Sequence, residues 1–301
     1  MSKVEFKDRV AIVTGAGGGL GRTHALELAR RGVKVVVNDL GGSVHGEGGS
    51  STMAEQVVAE IKAAGGEAMA NGANVTNADE VQAMVDAAIA KWGHIDILVN
   101  NAGILRDKSF SKMEIADFRL VVDVHLMGTA ICTKAVWNHM KERNFGRIVV
   151  TTSSSGNYGN FGQANYGAAK TGVVGLMNTL CLEGAKYDIR VNALSPVAAT
   201  RMTEGLMPEA ALDALAPELV TAGLIPLVCD DAPNRVIMCA GARGFAATKV
   251  YETIGVTLPD GECTAENVMA NMDKILDPTG QEEFANGGFQ SLKFLKRVGI
   301  G

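Results

Sequence analysis

Residues 10–21 decide the fold of this chain, and they read Val10-Ala-Ile-Val-Thr14-Gly15-Ala-Gly-Gly-Gly19-Leu20-Gly21. The first five are short, apolar and mostly β-branched, which predicts a buried strand. Apolar residues then recur on a helical period up to Arg31, and Gly32 follows at a position where helices commonly end. A glycine-rich turn between a strand and a helix lets backbone amides approach a pyrophosphate closely. The stretch therefore predicts a dinucleotide-binding site near the start of an α/β domain.

Short apolar runs and longer periodic stretches keep alternating after this turn. Strands are predicted at 33–37, 95–99, 147–152, 189–193 and 235–239, and helices at 51–64, 77–92, 115–140, 164–186 and 264–276. Apolar strands separated by helices are typical of a parallel sheet covered on both faces. We therefore predict an α/β, Rossmann-like doubly wound fold, with a single domain over 1–245. The remaining 246–301 are expected to form an extension that packs on the same domain or on a neighbouring subunit.

The composition argues against several classes of protein. Charged residues make up 20% of the chain and the net charge is −5, so the basic surface expected of a nucleic-acid-binding protein is missing. No apolar run reaches the roughly 18 residues that a membrane span requires. The five cysteines include no CxxC pair, and the histidines show no metal-binding spacing. These features predict a reduced, cytoplasmic protein without a metal site.

The predicted cofactor is NAD because of the residue that ends the second strand. Asp39 follows Gly21 by 18 residues, where a carboxylate can accept hydrogen bonds from both ribose hydroxyls of adenosine. The same charge repels a 2′-phosphate, and Leu40 offers no cation to bind one, which favours NAD over NADP. The alternative interpretation is that Asp39 only caps a turn.

Ser153, Tyr166 and Lys170 are the predicted catalytic residues. Tyr166 and Lys170 stand four residues apart on a predicted helix and therefore share a face. A tyrosine is a poor base near neutral pH because its pKa is about 10, but an ammonium nearby favours the phenolate. Ser153 comes just after a strand, where its hydroxyl can hold a substrate oxygen. The alternative for the tyrosine and lysine is a solvated helix face.

Together these motifs resemble those of the short-chain dehydrogenase/reductase family. Asn100-Asn-Ala-Gly103, which follows a predicted strand, resembles a second signature of that family. The resemblance implies that Tyr166 removes the hydroxyl proton of a secondary alcohol while hydride passes to the nicotinamide. It also implies that Ser153 orients the oxygen, and that Lys170 binds the nicotinamide ribose and lowers the pKa of Tyr166. The residues implied to contact NAD are Gly15, Gly19, Leu20, Gly21, Asp39, Asn74, Val75, Asn101, Ala102, Gly103, Tyr166, Lys170 and Val197.

Longer stretches resemble the (3R)-hydroxyacyl-CoA dehydrogenase portions of peroxisomal multifunctional enzymes of type 2. They are 37–42, 100–110 and 158–166, together with 201–203 and the helix near 264–276. This resemblance implies a stand-alone enzyme for a small-molecule acyl-CoA, a (3R)-3-hydroxyacyl-CoA in the β-oxidation of fatty acyl or steroid side chains. Two alternatives stay open, a dehydrogenase of hydroxysteroids or other free secondary alcohols and a catalytically silent NAD-binding scaffold.

The chain departs from the family pattern at two positions. His125 stands where the family usually has an asparagine, whose backbone carbonyl is thought to serve a proton relay, and Pro196-Val197 replaces the usual Pro-Gly. Two other features have open interpretations. Small residues on more than one side of helix 164–186 permit the homodimer or homotetramer that is usual in the family. The apolar side chains of 198–225 either cover an apolar substrate or serve packing and subunit contact, and they are Met202, Leu206, Met207, Leu212 and Leu215.

Overall fold

A computed structural model describes residues 4–43, 45, 48, 52–198 and 213–300. The main feature of the unit Met1–Ala247 is a sheet of eight strands. Its strands are β1 (Val10–Thr14), β2 (Lys34–Asn38), β3 (Ala68–Asn71), β4 (Ile97–Asn100), β5 (Gly146–Thr151), β6 (Ile189–Pro196), β7 (Ile237–Gly241) and β8 (Gly244–Thr248). They lie in the order β3-β2-β1-β4-β5-β6-β7-β8, and β1 to β7 pair in parallel. The predicted Rossmann-like fold class is therefore confirmed.

Helices connect the strands and cover both faces of this sheet. They are α1 (Gly19–Arg30), α2 (Thr52–Ala63), α3 (Ala78–Trp92), α4 (Ile115–Val122), α5 (Gly128–Arg143), α6 (Ser154–Tyr158), α7 (Ala164–Gly184) and α8 (Pro217–Val228). Asn77 is the predicted N-cap of α3, and its side chain accepts from the backbone N–H groups of Asp79 and Glu80. None of the helices among the described residues is both long and apolar enough to span a membrane.

The position of β1 explains where a ligand can bind. All five of its residues are buried, so apolar side chains cover the sheet from both sides. β1 pairs with β2 on one side and with β4 on the other, so the chain reverses its direction of travel across the sheet there. In open α/β sheets, the crevice at the carboxyl ends of such neighbouring strands is the usual ligand site.

Several elements differ from the sequence predictions. The edge strands β3 and β8 were not predicted, because their short sequences carry little apolar alternation: β3 is Ala-Met-Ala-Asn. The predicted helix over 115–140 is interrupted by a π-helical turn, Asp123–Met127. Helix α8 was also not predicted, and it contains Pro226, a residue that normally disfavours a helix interior.

Residues Thr248–Gly301 form a second compact unit, distinct from the unit Met1–Ala247. It holds three short helices, α9 (Ala265–Ala270), α10 (Met272–Leu276) and α11 (Gly287–Arg297), so the single helix predicted over 264–276 is two helices. Lys293 organises this unit, since its Nζ donates to the Glu252 carboxylate at 2.8 Å and to the Thr253 carbonyl at 2.6 Å.

The structure describes one of the five apolar residues predicted to cover the substrate or to serve packing. Met202, Leu206, Met207 and Leu212, together with the 201–203 motif, lie outside the described residues. Leu215 is described and is half-buried just before α8.

Candidate functional site

The turn between β1 and α1 needs glycine at defined positions. Gly15 and Gly19 have φ angles of +62° and +52°, in the left-handed region that favours glycine. A Cβ atom at Gly15 would stand 2.8 Å from the Cα atom of Ala102, and one at Gly21 would stand 2.1 Å from the Gly15 carbonyl oxygen. Because these positions are glycines, backbone atoms and not side chains line this part of the crevice.

The segment after β4 holds this turn in place. The Asn101 side-chain amide donates to the carbonyl oxygens of Thr14 and Gly15, at 2.9 and 3.0 Å. The backbone N–H groups of Asn101 and Ala102 both donate to the Thr14 hydroxyl, at 3.0 and 3.1 Å. The motif Asn100-Asn-Ala-Gly103 thus locks the glycine turn, whose residues form one wall of the cleft.

Asp39 contacts the same turn. Its carboxylate accepts hydrogen bonds from the backbone N–H groups of Gly17 and Gly41, both at 2.7 Å. The turn-capping interpretation therefore has direct support, although Asp39 also lines the cleft. Leu40, the next residue, has an exposed apolar side chain.

A cleft of about 290 Å³ brings most of the predicted cofactor residues together. Those that line it are Gly15, Gly19, Leu20, Asp39, Asn74, Val75, Asn101, Ala102, Gly103, Tyr166 and Lys170. Gly21 is buried beneath the turn instead, and Pro196 rather than Val197 is a lining residue. The Val197 backbone N–H donates to the Ala240 carbonyl at 2.8 Å, and its side chain is partly exposed.

Sequence reasoning missed other lining residues. Asn38, Thr151 and Pro196 are the last residues of β2, β5 and β6, so the rule that ligands bind at the carboxyl ends of strands could have found them. Ile104, Leu120 and Val124 come from a loop and from helical segments distant in sequence from the glycine turn. Only the tertiary structure brings these three apolar side chains to the cleft.

Ser153 and Tyr166 lie side by side at the end of β5. Ser153 is the N-cap of α6, and its hydroxyl oxygen accepts from the backbone N–H of Ser155 at 3.2 Å. Burial raises the pKa of the Tyr166 phenol, a hydrogen bond with the Ser153 side chain lowers it, and the negative charge of Asp107 raises it further. The pair is therefore arranged for proton transfer at the Tyr166 hydroxyl, with the neutral phenol favoured.

Lys170 stands one helical turn after Tyr166 and is buried. Its Nζ donates to the Thr151 carbonyl oxygen at 2.6 Å and lies 5.5 Å from the centre of the Tyr166 ring. Burial lowers the pKa of Lys170 to about 7. Burial therefore disfavours the charged forms of both side chains, and the net shift of the Tyr166 pKa is upward. That Lys170 lowers the pKa of Tyr166 stays a prediction.

The start of α7 is tied to the segment that follows β4. The Gln163 side-chain amide donates to Asp107 at 2.6 Å, and its oxygen accepts from the Ser155 hydroxyl at 2.7 Å. The Lys108 backbone N–H donates to the Gly162 carbonyl at 2.9 Å. These bonds hold the loop before Tyr166 against the loop that contains Asp107.

His125 lies in the π-helical turn between α4 and α5, with its ring buried at the cleft. Its carbonyl oxygen accepts from the Thr129 hydroxyl at 2.6 Å. Its ring packs edge-on against Tyr166 with 5.1 Å between ring centres. The histidine is therefore a core residue, as a lone histidine usually is, but it is packed directly against a predicted catalytic side chain.

The residues present fit a dinucleotide. The glycine turn offers main chain at the amino end of α1, where the helix dipole favours an anion. A Cβ atom at Gly15 would intrude on the neighbouring main chain, so the close backbone approach depends on glycine. Asp39 stands at one side of this turn, while Tyr166 and Lys170 line the same cleft. The arrangement can hold an elongated cofactor beside a group that transfers protons.

Known proteins with similar sequences and structures include dehydrogenases and multifunctional peroxisomal enzymes. A family model described as short chain dehydrogenase matches residues 9–210. Peroxisomal multifunctional enzyme A of Dictyostelium discoideum is 45% identical over 292 residues, which cover 94% of this chain and 65% of that protein. The structure of full-length peroxisomal multifunctional enzyme type 2 from Drosophila melanogaster matches with a TM-score of 0.83 and 35% identity, over 98% of this chain and 50% of that one.

A second solved structure was determined with ligands. It is 7α-hydroxysteroid dehydrogenase complexed with NADH and 7-oxo glycochenodeoxycholic acid, with a TM-score of 0.71 and 28% identity, over 80% of this chain and 95% of that one. By contrast, the chain spans only 65% and 50% of the lengths of the two multifunctional relatives.

Proposed function

Since the chain belongs to the short-chain dehydrogenase family and is an oxidoreductase of that type, we propose that it oxidises a secondary alcohol to a ketone with NAD. The proposed substrate is a (3R)-3-hydroxyacyl-CoA, in the β-oxidation of fatty acyl or steroid side chains. The observation that supports this most is that Tyr166 and Lys170 line the cleft together with the glycine turn, while the Ser153 side chain hydrogen bonds with Tyr166.

Each of the three side chains has a proposed role. The Tyr166 hydroxyl, as phenolate, accepts the proton of the substrate hydroxyl, and in the reverse direction it donates that proton. The Ser153 hydroxyl, which already hydrogen bonds with Tyr166, orients the substrate oxygen. Lys170, as an ammonium, stabilises the phenolate through its charge. A nicotinamide cofactor, when bound, supplies the hydride acceptor.

Two observations support NAD as the cofactor. Asp39 brings a carboxylate to the adenosine side of the predicted site, and a carboxylate disfavours a 2′-phosphate. The related 7α-hydroxysteroid dehydrogenase was solved with NADH. The residues proposed to hold the cofactor are the glycine turn, Asp39, Asn74, Val75, Asn101 to Gly103, Tyr166 and Lys170.

The substrate proposal comes from the relatives. Multifunctional peroxisomal enzymes of two organisms match almost the whole chain, and the likeness includes the segments on both sides of Tyr166. Apolar Ile104, Leu120 and Val124 line the cleft and can contact an acyl or steroid group. We keep the cytoplasm as the proposed location, although these relatives are named peroxisomal.

The deciding experiment follows NADH formation with a panel of alcohols. The panel holds (3R)- and (3S)-hydroxyacyl-CoA esters with short, medium and steroid-like acyl groups, the matching free acids, and free hydroxysteroids. Turnover confined to the (3R) thioesters supports the proposal, and the chain-length profile then identifies the pathway.

Other outcomes contradict specific parts of the proposal. Turnover of free hydroxysteroids without any preference for CoA leaves the dehydrogenase chemistry in place but removes the acyl-CoA assignment. No turnover of any alcohol, with NADH still bound, favours a catalytically silent scaffold. A preference for NADP in the same assay overturns the cofactor assignment.

We also propose a homodimer or homotetramer. One face of α7 is exposed and built of small residues, with Ala164, Ala168 and Gly175 along it. Small residues let two helices approach closely. Analytical ultracentrifugation of the wild type and of Ala168→Arg tests this, since a bulky charge on that face should dissociate the assembly, whereas a monomeric wild type contradicts it.

A further inference from the structure

Asp107, in the loop after β4, is held against the start of α7 by hydrogen bonds. Its carboxylate accepts from the Gln163 side-chain amide at 2.6 Å. The carbonyl oxygen of the preceding residue, Arg106, accepts from the Asn165 side-chain amide at 3.0 Å. Gln163 and Asn165 both stand within three residues of Tyr166 on the chain. The carboxylate therefore has a fixed place beside the helical turn that carries the proposed proton-transfer group.

The negative charge of Asp107 is held without a paired cation. Among the described residues Asp107 forms no ion pair, because its neighbours Arg106 and Lys108 both pair with Asp117, each at 3.5 Å. The group that does bond to the carboxylate is the amide of Gln163, which is neutral. This bond fixes the position of the carboxylate and leaves its charge uncancelled.

The charge of Asp107 acts at the hydroxyl of Tyr166. After burial, it is the second influence that raises the pKa of the Tyr166 phenol, because it disfavours a phenolate beside it. Two like charges repel each other more strongly near a protein surface than in bulk water. An anionic group of a substrate that is bound close to the Tyr166 hydroxyl would meet the same repulsion.

The candidate substrates differ in charge close to this hydroxyl. In a free 3-hydroxy acid, the carboxylate is two carbons away from the carbon that bears the reacting hydroxyl. In a thioester the corresponding carbonyl group is neutral, and the phosphates of CoA are separated from it by a long chain. When the reacting hydroxyl contacts Tyr166 and Ser153, the carboxylate of the free acid is therefore brought close to the charge of Asp107.

We propose that Asp107 is a specificity-determining residue, whose carboxylate excludes free 3-hydroxy acids from the site and thereby selects the uncharged thioester. This inference rests on the proposed dehydrogenase function and deepens its substrate assignment. The exclusion comes from charge and not from shape, because a carboxylate is smaller than the thioester that takes its place.

Three substitutions separate charge from hydrogen bonding. Asp107→Asn removes the charge but keeps the size and an oxygen that can accept from Gln163. Asp107→Glu keeps the charge. The matched control is Asp86→Asn, because Asp86 is also exposed and also accepts from a glutamine amide, that of Gln82 at 2.8 Å, but lies on α3 and does not line the cleft.

The test compares two substrates that differ only at the acyl carbon. They are a (3R)-3-hydroxy acid and its N-acetylcysteamine thioester, which is neutral and lacks the contacts of CoA. The readout is kcat/KM for the acid divided by kcat/KM for the thioester, with NAD. Since both substrates give their proton to Tyr166, a change in the phenol itself cancels in this ratio.

We expect the wild type to prefer the thioester. In Asp107→Asn the ratio should rise about tenfold, a modest factor because solvent around the exposed carboxylate screens the repulsion. In Asp107→Glu and Asp86→Asn the ratio should stay at the wild-type value.

An unchanged ratio in Asp107→Asn overturns the proposal while the proposed function stands. A similar rise in Asp107→Glu or in Asp86→Asn also overturns it, because a negative charge at position 107 is then not the cause. If the wild type oxidises neither substrate nor any other alcohol of the panel, the proposed function fails. Calorimetric binding of the acid and the thioester to the protein with NADH, in the same variants, then still decides whether Asp107 excludes the acid.

Discussion

The glycine turn lines the cleft together with Tyr166 and Lys170, two of the proposed catalytic residues, but different parts of the chain hold these two halves of the site. The turn is main chain, shaped by glycines with φ angles of +62° and +52° and locked by Asn101, which follows the neighbouring strand β4. The proposed catalytic half is made of side chains from α7 and from Ser153, the N-cap of α6, and burial shifts the pKa of both Tyr166 and Lys170. Cofactor binding at the glycine turn therefore depends on the room that glycines leave for the main chain. Proton transfer at the proposed catalytic side chains depends on the charges of poorly solvated groups.

The largest effect is expected from Tyr166→Phe. The ring and its packing against His125 stay, but the hydroxyl that transfers the proton is gone, so turnover should fall at least about 1,000-fold. Fluorescence titration should show nearly unchanged NADH binding, because the glycine turn is untouched. Retained turnover would show that the catalytic half has been assigned to the wrong residues.

Asp39→Ala tests the cofactor half and its two interpretations. If the carboxylate binds ribose hydroxyls, kcat/KM for NAD should fall about 10-fold to 100-fold, while kcat/KM for NADP should change little. Because the carboxylate also accepts from Gly17 and Gly41, a purely turn-capping role predicts equal losses for both cofactors. Steady-state kinetics with each cofactor distinguishes the two cases.

Gly21→Ala tests whether the shape of the glycine turn depends on the absence of a Cβ atom at this position. The new Cβ atom would meet the Gly15 carbonyl oxygen at 2.1 Å, and two backbone segments would have to separate. We expect the displaced turn to bind NADH about tenfold more weakly, which corresponds to a loss of about 1.4 kcal/mol in binding free energy. Gly175→Ala is the matched control, because a Cβ there meets no atom within 4 Å and alanine favours the helix. Equal NADH affinity in both variants contradicts the spatial argument.

The smallest effect is expected from His24, a buried histidine that does not line the cleft, and it concerns stability and not turnover. Burial lowers the pKa of His24 from 6.5 to about 3, so between these values the unfolded chain binds a proton that the folded chain does not. The free energy of unfolding should therefore fall as the pH falls through this window, by at most about 1.4 kcal/mol per pH unit from this residue. His24→Phe should remove that share of the slope in urea unfolding. An unchanged slope would mean that His24 is not buried neutral.

The sequence predicted those helices and strands whose formation depends on residues within a few positions of each other. The strand over 10–14, the helix after Gly18 and the N-cap Asn77 all follow from apolar periodicity, glycine and hydrogen-bonding residues within a few positions. The edge strand β3 and helix α8 were not predicted, because neither has a distinctive apolar period and both depend on their neighbours in the fold.

The candidate site shows the same division. Ser153, Tyr166 and Lys170 could be named from their spacing, and Gly15 and Gly19 from their place between strand and helix. The upward pKa of Tyr166 could not, because it comes from burial and from Asp107, which lies 59 residues earlier in the chain. The lining role of Pro196, the last residue of β6, could not be named either, and the predicted cofactor contact of the next residue, Val197, stays a prediction.

By itself the sequence determined a parallel α/β fold, a dinucleotide turn and the residue types of a dehydrogenase, because apolar period, glycine and side-chain chemistry act over a few residues. Only the tertiary structure decided the direction in which burial shifts the pKa of Tyr166 and Lys170, which apolar groups line the cleft and that His125 packs against Tyr166. These properties arise from burial and from contacts between segments distant in sequence, and desolvation in such contacts shifts the energies of charged groups as strongly as the neighbouring charges do.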